Sequence, residues 1–178
     1  DWLGDDREQI GVEKAGIMRQ GKTIVSGDPN PTNSIQSEAN RIGAPLLQQG
    51  NDFSWTHNGG DSFWQLSTPS KEVLKLPMPS LQGRFQLNNA SMVVTAVQSF
   101  QHILPVKIEK IEQGLTKACV IGRLQKLGEC PELLVDVAHN PQSAQALANF
   151  LNESPTPGKT IALFSALADK DLNGILKP

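Results

Sequence analysis

The sequence predicts an α/β protein in two successive parts. The first is interrupted by a small antiparallel meander, and the second opens a Rossmann-like α/β unit. Three observations predict this. Helical and extended patterns alternate over residues 6–48. Three short extended runs, separated by turn residues, follow them. Finally "LLVDVAHNPQSAQALANFL", Leu133 to Leu151, passes from an apolar run through a polar loop into a helical pattern. That is the strand-loop-helix order of an open α/β sheet, whose ligands bind at the carboxyl ends of the strands.

In order along the chain, "DREQIGVEKAGIMR" (6–19) predicts a helix and "KTIVS" (22–26) a strand closed by Gly27, Pro29 and Pro31. Residues 32–43 predict a polar helix and "APLLQ" (44–48) a short strand. "DFSWTH", "SFWQLS" and "EVLKLP" form the meander, with Asn58-Gly59-Gly60 and Pro69-Ser70 as its turns. Alternation assigns Trp55, Phe63 and Trp64 to core or cross-strand packing; stacking on a base or sugar is the alternative. Two helices follow, Phe85 to Leu104 and Lys107 to Ala118. From Arg123 the order is strand, strand, helix, strand ("TIALFSAL"), helix. The domain boundary is expected near Val120 to Gly122, giving domains 1–121 and 122–178. Leu133, Leu134 and Val135 read as a strand covered on both faces. Asn140 is expected to cap the next helix with Pro141 in its first turn, and Ala144, Leu147, Ala148 and Leu151 make its half-buried stripe.

The formal charge of −2 over 178 residues, with no basic tract, gives nucleic acid no footprint. No apolar run suffices to span a membrane, and no secretory signal is visible. Cys119 and Cys130 form neither a CxxC motif nor a disulfide framework and fit a reducing, cytoplasmic compartment. His57 and His102 lack partners at metal-ligand spacing and read as surface or packing residues. The chain starts at "DWLGDD" without Met and stops inside a helical pattern, so it is expected to be a piece of a longer protein.

Five segments carry candidate chemistry. Lys14 shares a helix face with Ile10 and Ile17, expected to be the buried one. Burial favours the neutral, reactive amine; the alternative is an ammonium that reaches solvent or pairs with an acid. In "GRFQLNNAS", Gln86, Asn88 and Asn89 either cap the starting helix or read a purine edge, since an amide offers donor and acceptor together. Arg123, in "VIGRLQ", is either a phosphate partner or a solvated surface residue. Asp136 and His139 stand where a strand ends. A carboxylate there can accept from ribose hydroxyls, and the histidine can orient or donate to phosphate; a local polar network is the alternative. In "LADKD", Asp169 and Asp171 are expected to cap the last helix.

Taken in order, "DWLGDDREQIGVEKAGI", "LQGRFQLNNA", "GR", "DVAHNP" and "LADKD" resemble the folylpolyglutamate synthase and dihydrofolate synthase family of the Mur ligase superfamily, over essentially the whole chain. The resemblance implies a partial Mur-ligase-like central ATPase domain (1–121) and the start of the C-terminal ligase domain (122–178). It implies an ATP- and Mg²⁺-dependent ligase, monomeric, that joins L-glutamate to dihydropteroate or a reduced folate through an acyl phosphate. By the same resemblance Lys14 is carbamylated and its carbamate helps hold the metal site. Asn89, Arg123 and Asp136 contact ATP, and His139 belongs to the catalytic motif. The direct Mg²⁺ ligands and the P-loop are expected upstream, and the chain alone is expected to be inactive. One departure is Ile121, where relatives usually carry Pro before Gly-Arg. The competing readings are a Mur-type peptidoglycan-precursor ligase and a non-catalytic nucleotide-binding domain.

Overall fold

The computed structural model describes residues 6–168 and 170–178. The described residues divide into two compact units, one running to residue 78 and resuming over 87–116, the other made of residues 79–86 and those from 117 onward.

In the first unit, α1 (Arg7–Ala15) is capped by Asp6, whose carboxylate accepts from the Gln9 N–H. The helix stops at Ala15, short of the predicted Arg19, because Arg19 turns back and donates to the carbonyls of Gly16 and Met18. Strand β1 (Ile24–Ser26), helix α2 (Asn33–Ile42) and strand β2 (Leu46–Gln48) follow. β1 and β2 pair in parallel, Ile24 opposite Leu46 and Ser26 opposite Gln48, with α2 as their crossover. Gly43 ends α2 in the left-handed conformation (φ 68°) that glycine adopts without strain.

The buried side of α1 differs from the sequence expectation. Gly11, Ala15 and the following Met18 face inward, whereas Lys14 is exposed and Ile17 is 81% exposed. Small residues decide this. A Cβ at Gly11 would collide with the hydroxyls of Thr32 and Ser34, so α1 meets the start of α2 almost backbone to backbone. Glu8 completes the contact. Its two carboxylate oxygens accept from the Asn33 and Ser34 N–H groups at 2.9 Å each, capping α2 where Thr32 makes no side-chain cap. Those backbone bonds, Ser34 first and Asn33 second, hold the Glu8 carboxyl below its usual range. Ala15, Met18 and Ala39 form the small core beneath.

The meander is the predicted one: β3 (Ser54–Thr56), β4 (Phe63–Ser67) and β5 (Val73–Pro77), antiparallel in that order. Period-2 alternation puts Trp64, Leu66 and Leu76 in the core. Trp64 is fully buried and its indole N–H donates to the Pro77 carbonyl, satisfying its one polar atom. Trp55 packs against the same core, so the packing reading of these aromatics holds. Phe63 lies under the Lys75 ammonium at 3.6 Å. His57 hydrogen-bonds the Asp61 carbonyl at 3.1 Å.

Helices α3 (Phe85–Ser99) and α4 (Ile108–Lys117) cover this core with Leu87, Ala90, Val94, Ile111 and Leu115. α3 ends before the predicted Leu104. The Gln101 amide donates to the Val106 carbonyl and accepts from its N–H, which closes the loop to α4.

In the second unit, β6 (Gln125–Glu129) and β7 (Glu132–Val135) form an antiparallel ribbon with a register shift between Lys126 and Gly128. Helices α5 (Pro141–Glu153) and α6 (Leu172–Leu176) follow. Two sequence expectations fail here. "TIALFSAL" forms no strand among the described residues, and Leu163 is 99% exposed. Nor is β7 covered on both faces: Leu133 is 53% exposed, with β6 its sole strand neighbour among the described residues. An apolar run supplies the propensity for a strand, but the ladder needs a neighbouring edge to bond.

Candidate functional site

The loop between β7 and α5 is built by its own polar side chains. Asn140 caps α5 by accepting from the Ser143 N–H at 2.8 Å. The Ser143 hydroxyl accepts in return from the Asn140 N–H, which makes a capping box with Pro141 in the first turn. The expected cap is therefore present, and Ser143 completes it. The same hydroxyl also accepts from the His139 N–H at 3.1 Å. His139 Nδ1 lies 3.0 Å from the Val137 carbonyl. A carbonyl only accepts, so Nδ1 carries the proton there, and the neutral ring keeps an acceptor lone pair on Nε2.

Asp136 fastens this loop to the turn that carries Arg123. Its Oδ1 accepts from the Ala138 N–H at 2.8 Å and its Oδ2 from the Leu124 N–H at 2.9 Å. The Val137 N–H donates to the Gly122 carbonyl at 2.8 Å, and Gln125 Oε1 accepts from the Gly122 N–H at 3.0 Å. Gly122 (φ 72°) and Leu124 (φ 44°) are both left-handed. Glycine is required at the first for a further reason: a Cβ there would stand 2.6 Å from Val137 Cγ1. The "GR" and "DVAHN" segments are thus one braced piece. It brings Arg123, Asp136 and His139 together. The Arg123 side chain is exposed and bonds no group among the described residues. Each Asp136 oxygen, with one N–H bound, retains a second lone pair.

Lys14 and Asn89 belong to the first unit. Lys14 lies exposed in the last turn of α1. The amides at the start of α3 divide by direction. Asn88 turns inward, donating to the Gly27 carbonyl at 2.9 Å and accepting from the Trp55 indole N–H at 3.4 Å. Gln86 is buried, and Asn89 is exposed. Asp171 caps α6 by accepting from the Gly174 N–H, as expected; Asp169 lies outside the described residues. No group of three or more His, Cys, Asp or Glu side chains that could hold a metal gathers among the described residues. Among those residues, no helix is long and apolar enough to cross a membrane.

Sequence reasoning missed Leu124, which is 2% exposed and packs close to Gly83, and Gly122 as a steric partner of Val137. The glycine in "VIGRLQ" is the one signal that pointed to a special turn.

This braced piece lies within residues 122–177, which match the family model "Mur ligase, glutamate ligase domain". Along 99% of its length the chain is 35% identical to the Escherichia coli dihydrofolate synthase/folylpolyglutamate synthase, covering 40% of that protein. It is 29% identical to the Bacillus subtilis protein of the same name, with 98% of the chain matched and 42% of the relative covered. Its fold superposes on E. coli FolC in complex with DHPP and ADP with a TM-score of 0.89 at 34% identity, covering 99% of this chain and 41% of that one. A bifunctional folylpolyglutamate synthase/dihydrofolate synthase solved with Mn, AMPPNP and L-glutamate gives 0.85 at 38% identity, over 99% and 41% of the two chains. The chain is a relative of these synthases in sequence and in fold. It spans about 40% of the length of the curated relatives it matches.

Proposed function

We propose that this chain supplies the nucleotide-closing and lysine-bearing portion of an ATP-dependent ligase. That ligase adds L-glutamate to a dihydropteroate or reduced-folate carboxylate. Residues 1–121 correspond in this reading to the second half of the central ATPase domain and 122–178 to the start of the C-terminal ligase domain. The observation that carries it is the braced turn: the Arg123 guanidinium, exposed and unpaired among the described residues, is carried on a turn whose Leu124 N–H is held by the Asp136 carboxylate, within the segment that matches a glutamate ligase model. The related structure that holds Mn, AMPPNP and L-glutamate together supports the same reading.

The chemistry asks for charge handling and positioning. A substrate carboxylate oxygen attacks the γ-phosphorus of ATP, and ADP leaves. The glutamate amine attacks the resulting acyl phosphate, loses a proton, and expels phosphate, which keeps the carboxylate's oxygen. Arg123 stabilises the negative charge on the phosphates, and its rigid turn means that little side-chain freedom is lost in doing so. Asp136 offers its second lone pairs to ribose hydroxyls, and Asn89 offers an exposed amide to the nucleotide. His139, with Nδ1 held by Val137, presents Nε2 to the reacting groups.

Lys14 is exposed, so the burial that would favour a neutral amine is not what supports its carbamate role; that role rests on the likeness to the synthases, and the product would carry two oxygens suited to a hard cation. Magnesium, when bound, neutralises phosphate charge. In this reading Lys14 acts indirectly on the metal, and the direct ligands are supplied by the part of the full-length protein upstream of these residues. The enzyme is in this reading cytoplasmic and monomeric and binds neither nucleic acid nor membrane. The test is ADP release by the full-length protein, expected to need both glutamate and a pterin acid. ADP release driven by a peptidoglycan precursor, or nucleotide binding without turnover, would replace this reading with one of its competitors.

A further inference from the structure

The geometry points to Leu124 as a positioning residue for Arg123, with the Asp136 carboxylate as its clamp. Left-handed backbone is costly for a branched residue, so a leucine at φ 44° needs an explanation. Its surroundings supply one. Leu124 is 2% exposed and seated against Gly83, where a Cβ would stand 2.8 Å from Leu124 Cδ1. Its N–H is held by Asp136 Oδ2 at 2.9 Å. On the other side of Arg123, Gly122 is fixed through both its N–H and its carbonyl. Arg123 therefore stands between two left-handed residues, each pinned. The turn sends the Leu124 side chain inward while Arg123 stays in solvent with its guanidinium unpartnered among the described residues. An anchor of this kind removes conformations from the loop before a ligand arrives, so less ordering is lost on binding.

That Arg123 meets the nucleotide rests on the function proposed above, so the experiment has two arms. In the first, the full-length protein is digested with trypsin without nucleotide, and cleavage after Arg123 is timed. Leu124→Ala should speed that cleavage about tenfold, because proteolysis follows the population of the opened turn. The volume-conserving Leu124→Met should stay near wild type. Amide exchange in α5 should be unchanged. Unchanged cleavage would overturn the proposal, and so would loss of α5 protection in step with cleavage, which would make Leu124 only a core residue of the unit. In the second arm, AMPPNP binding to the full-length protein is measured by calorimetry. Leu124→Ala should weaken it about tenfold, and no further when Arg123 is already alanine, because residues acting through one contact are not additive. Additive losses would overturn the proposal. A wild type that binds no AMPPNP would overturn the functional reading instead, and the tryptic arm would still decide the geometry.

Discussion

Gly122→Ala tests the braced turn with one methyl group. Glycine holds φ 72° at no steric cost, whereas an L-residue in left-handed backbone costs about 1–2 kcal/mol. The new Cβ would also stand 2.6 Å from Val137 Cγ1, a separation real Cβ atoms do not reach, so Val137 must move. Val137 is 47% exposed and can swing toward solvent, which places the steric cost near the lower end of the roughly 1–3 kcal/mol range for overpacking. The total is about 2–3 kcal/mol, equivalent to roughly 30-fold to 150-fold faster exchange through opening of this unit. Among the described residues the tryptophans, Trp55 and Trp64, both fall in the other unit, so hydrogen exchange of the Val137 and α5 amides is the assay. The double variant Gly122→Ala/Val137→Ala should recover the steric part and leave about 1–2 kcal/mol of backbone cost. Wild-type exchange in Gly122→Ala would refute the turn geometry, and complete rescue by Val137→Ala would refute the backbone part.

Three further outcomes follow from named contacts. Asp136→Asn keeps the shape but sets an NH₂ group against one of two backbone N–H donors, so it should cost about 1.5–3 kcal/mol of local stability. It should also weaken ATP binding in the full-length protein, and unchanged exchange at Leu124 and Ala138 would contradict the clamp. Glu8 has its carboxyl depressed in the folded state by the Ser34 and Asn33 N–H groups. Its stabilisation of the α1–α2 contact is therefore present above its usual value of 4.5 and lost as pH falls through the lower folded value. Glu8→Gln should flatten that acid transition in α2 exchange, and an unaltered transition would remove Glu8 from it. Lys14→Arg should abolish activity as fully as Lys14→Ala, with partial rescue of the alanine variant alone by acetate or formate, and without loss of stability because Lys14 is exposed. An active arginine variant would exclude the carbamate.

The meander and the α5 cap were legible because local signals suffice for them. Alternation sorted Trp64, Leu66 and Leu76 inward, and Asn140-Pro141 marks a helix start in any context. The face of α1 was not legible. Its apolar stripe of Ile10 and Ile17 outweighs Gly11 and Ala15 in any hydrophobicity count, yet close approach to α2 favours the small residues. The strand expected at 160–167 failed for lack of a partner among the described residues, a condition no single segment encodes. Arg123, Asp136 and His139 could be named as candidates from residue type and position. The main-chain bonds that join them depend on the left-handed turn at Gly122 and Leu124, and only the folded backbone shows it.

The acyl phosphate is the central claim, and oxygen transfer tests it most directly. The full-length protein would be given ATP, Mg²⁺, glutamate and a pterin acid whose carboxylate carries ¹⁸O. The phosphate released would then be analysed by mass spectrometry. The account predicts one labelled oxygen in each phosphate formed, because the carboxylate oxygen that attacks ATP leaves with the phosphoryl group. Phosphate released in step with the glutamyl product but free of label would contradict it.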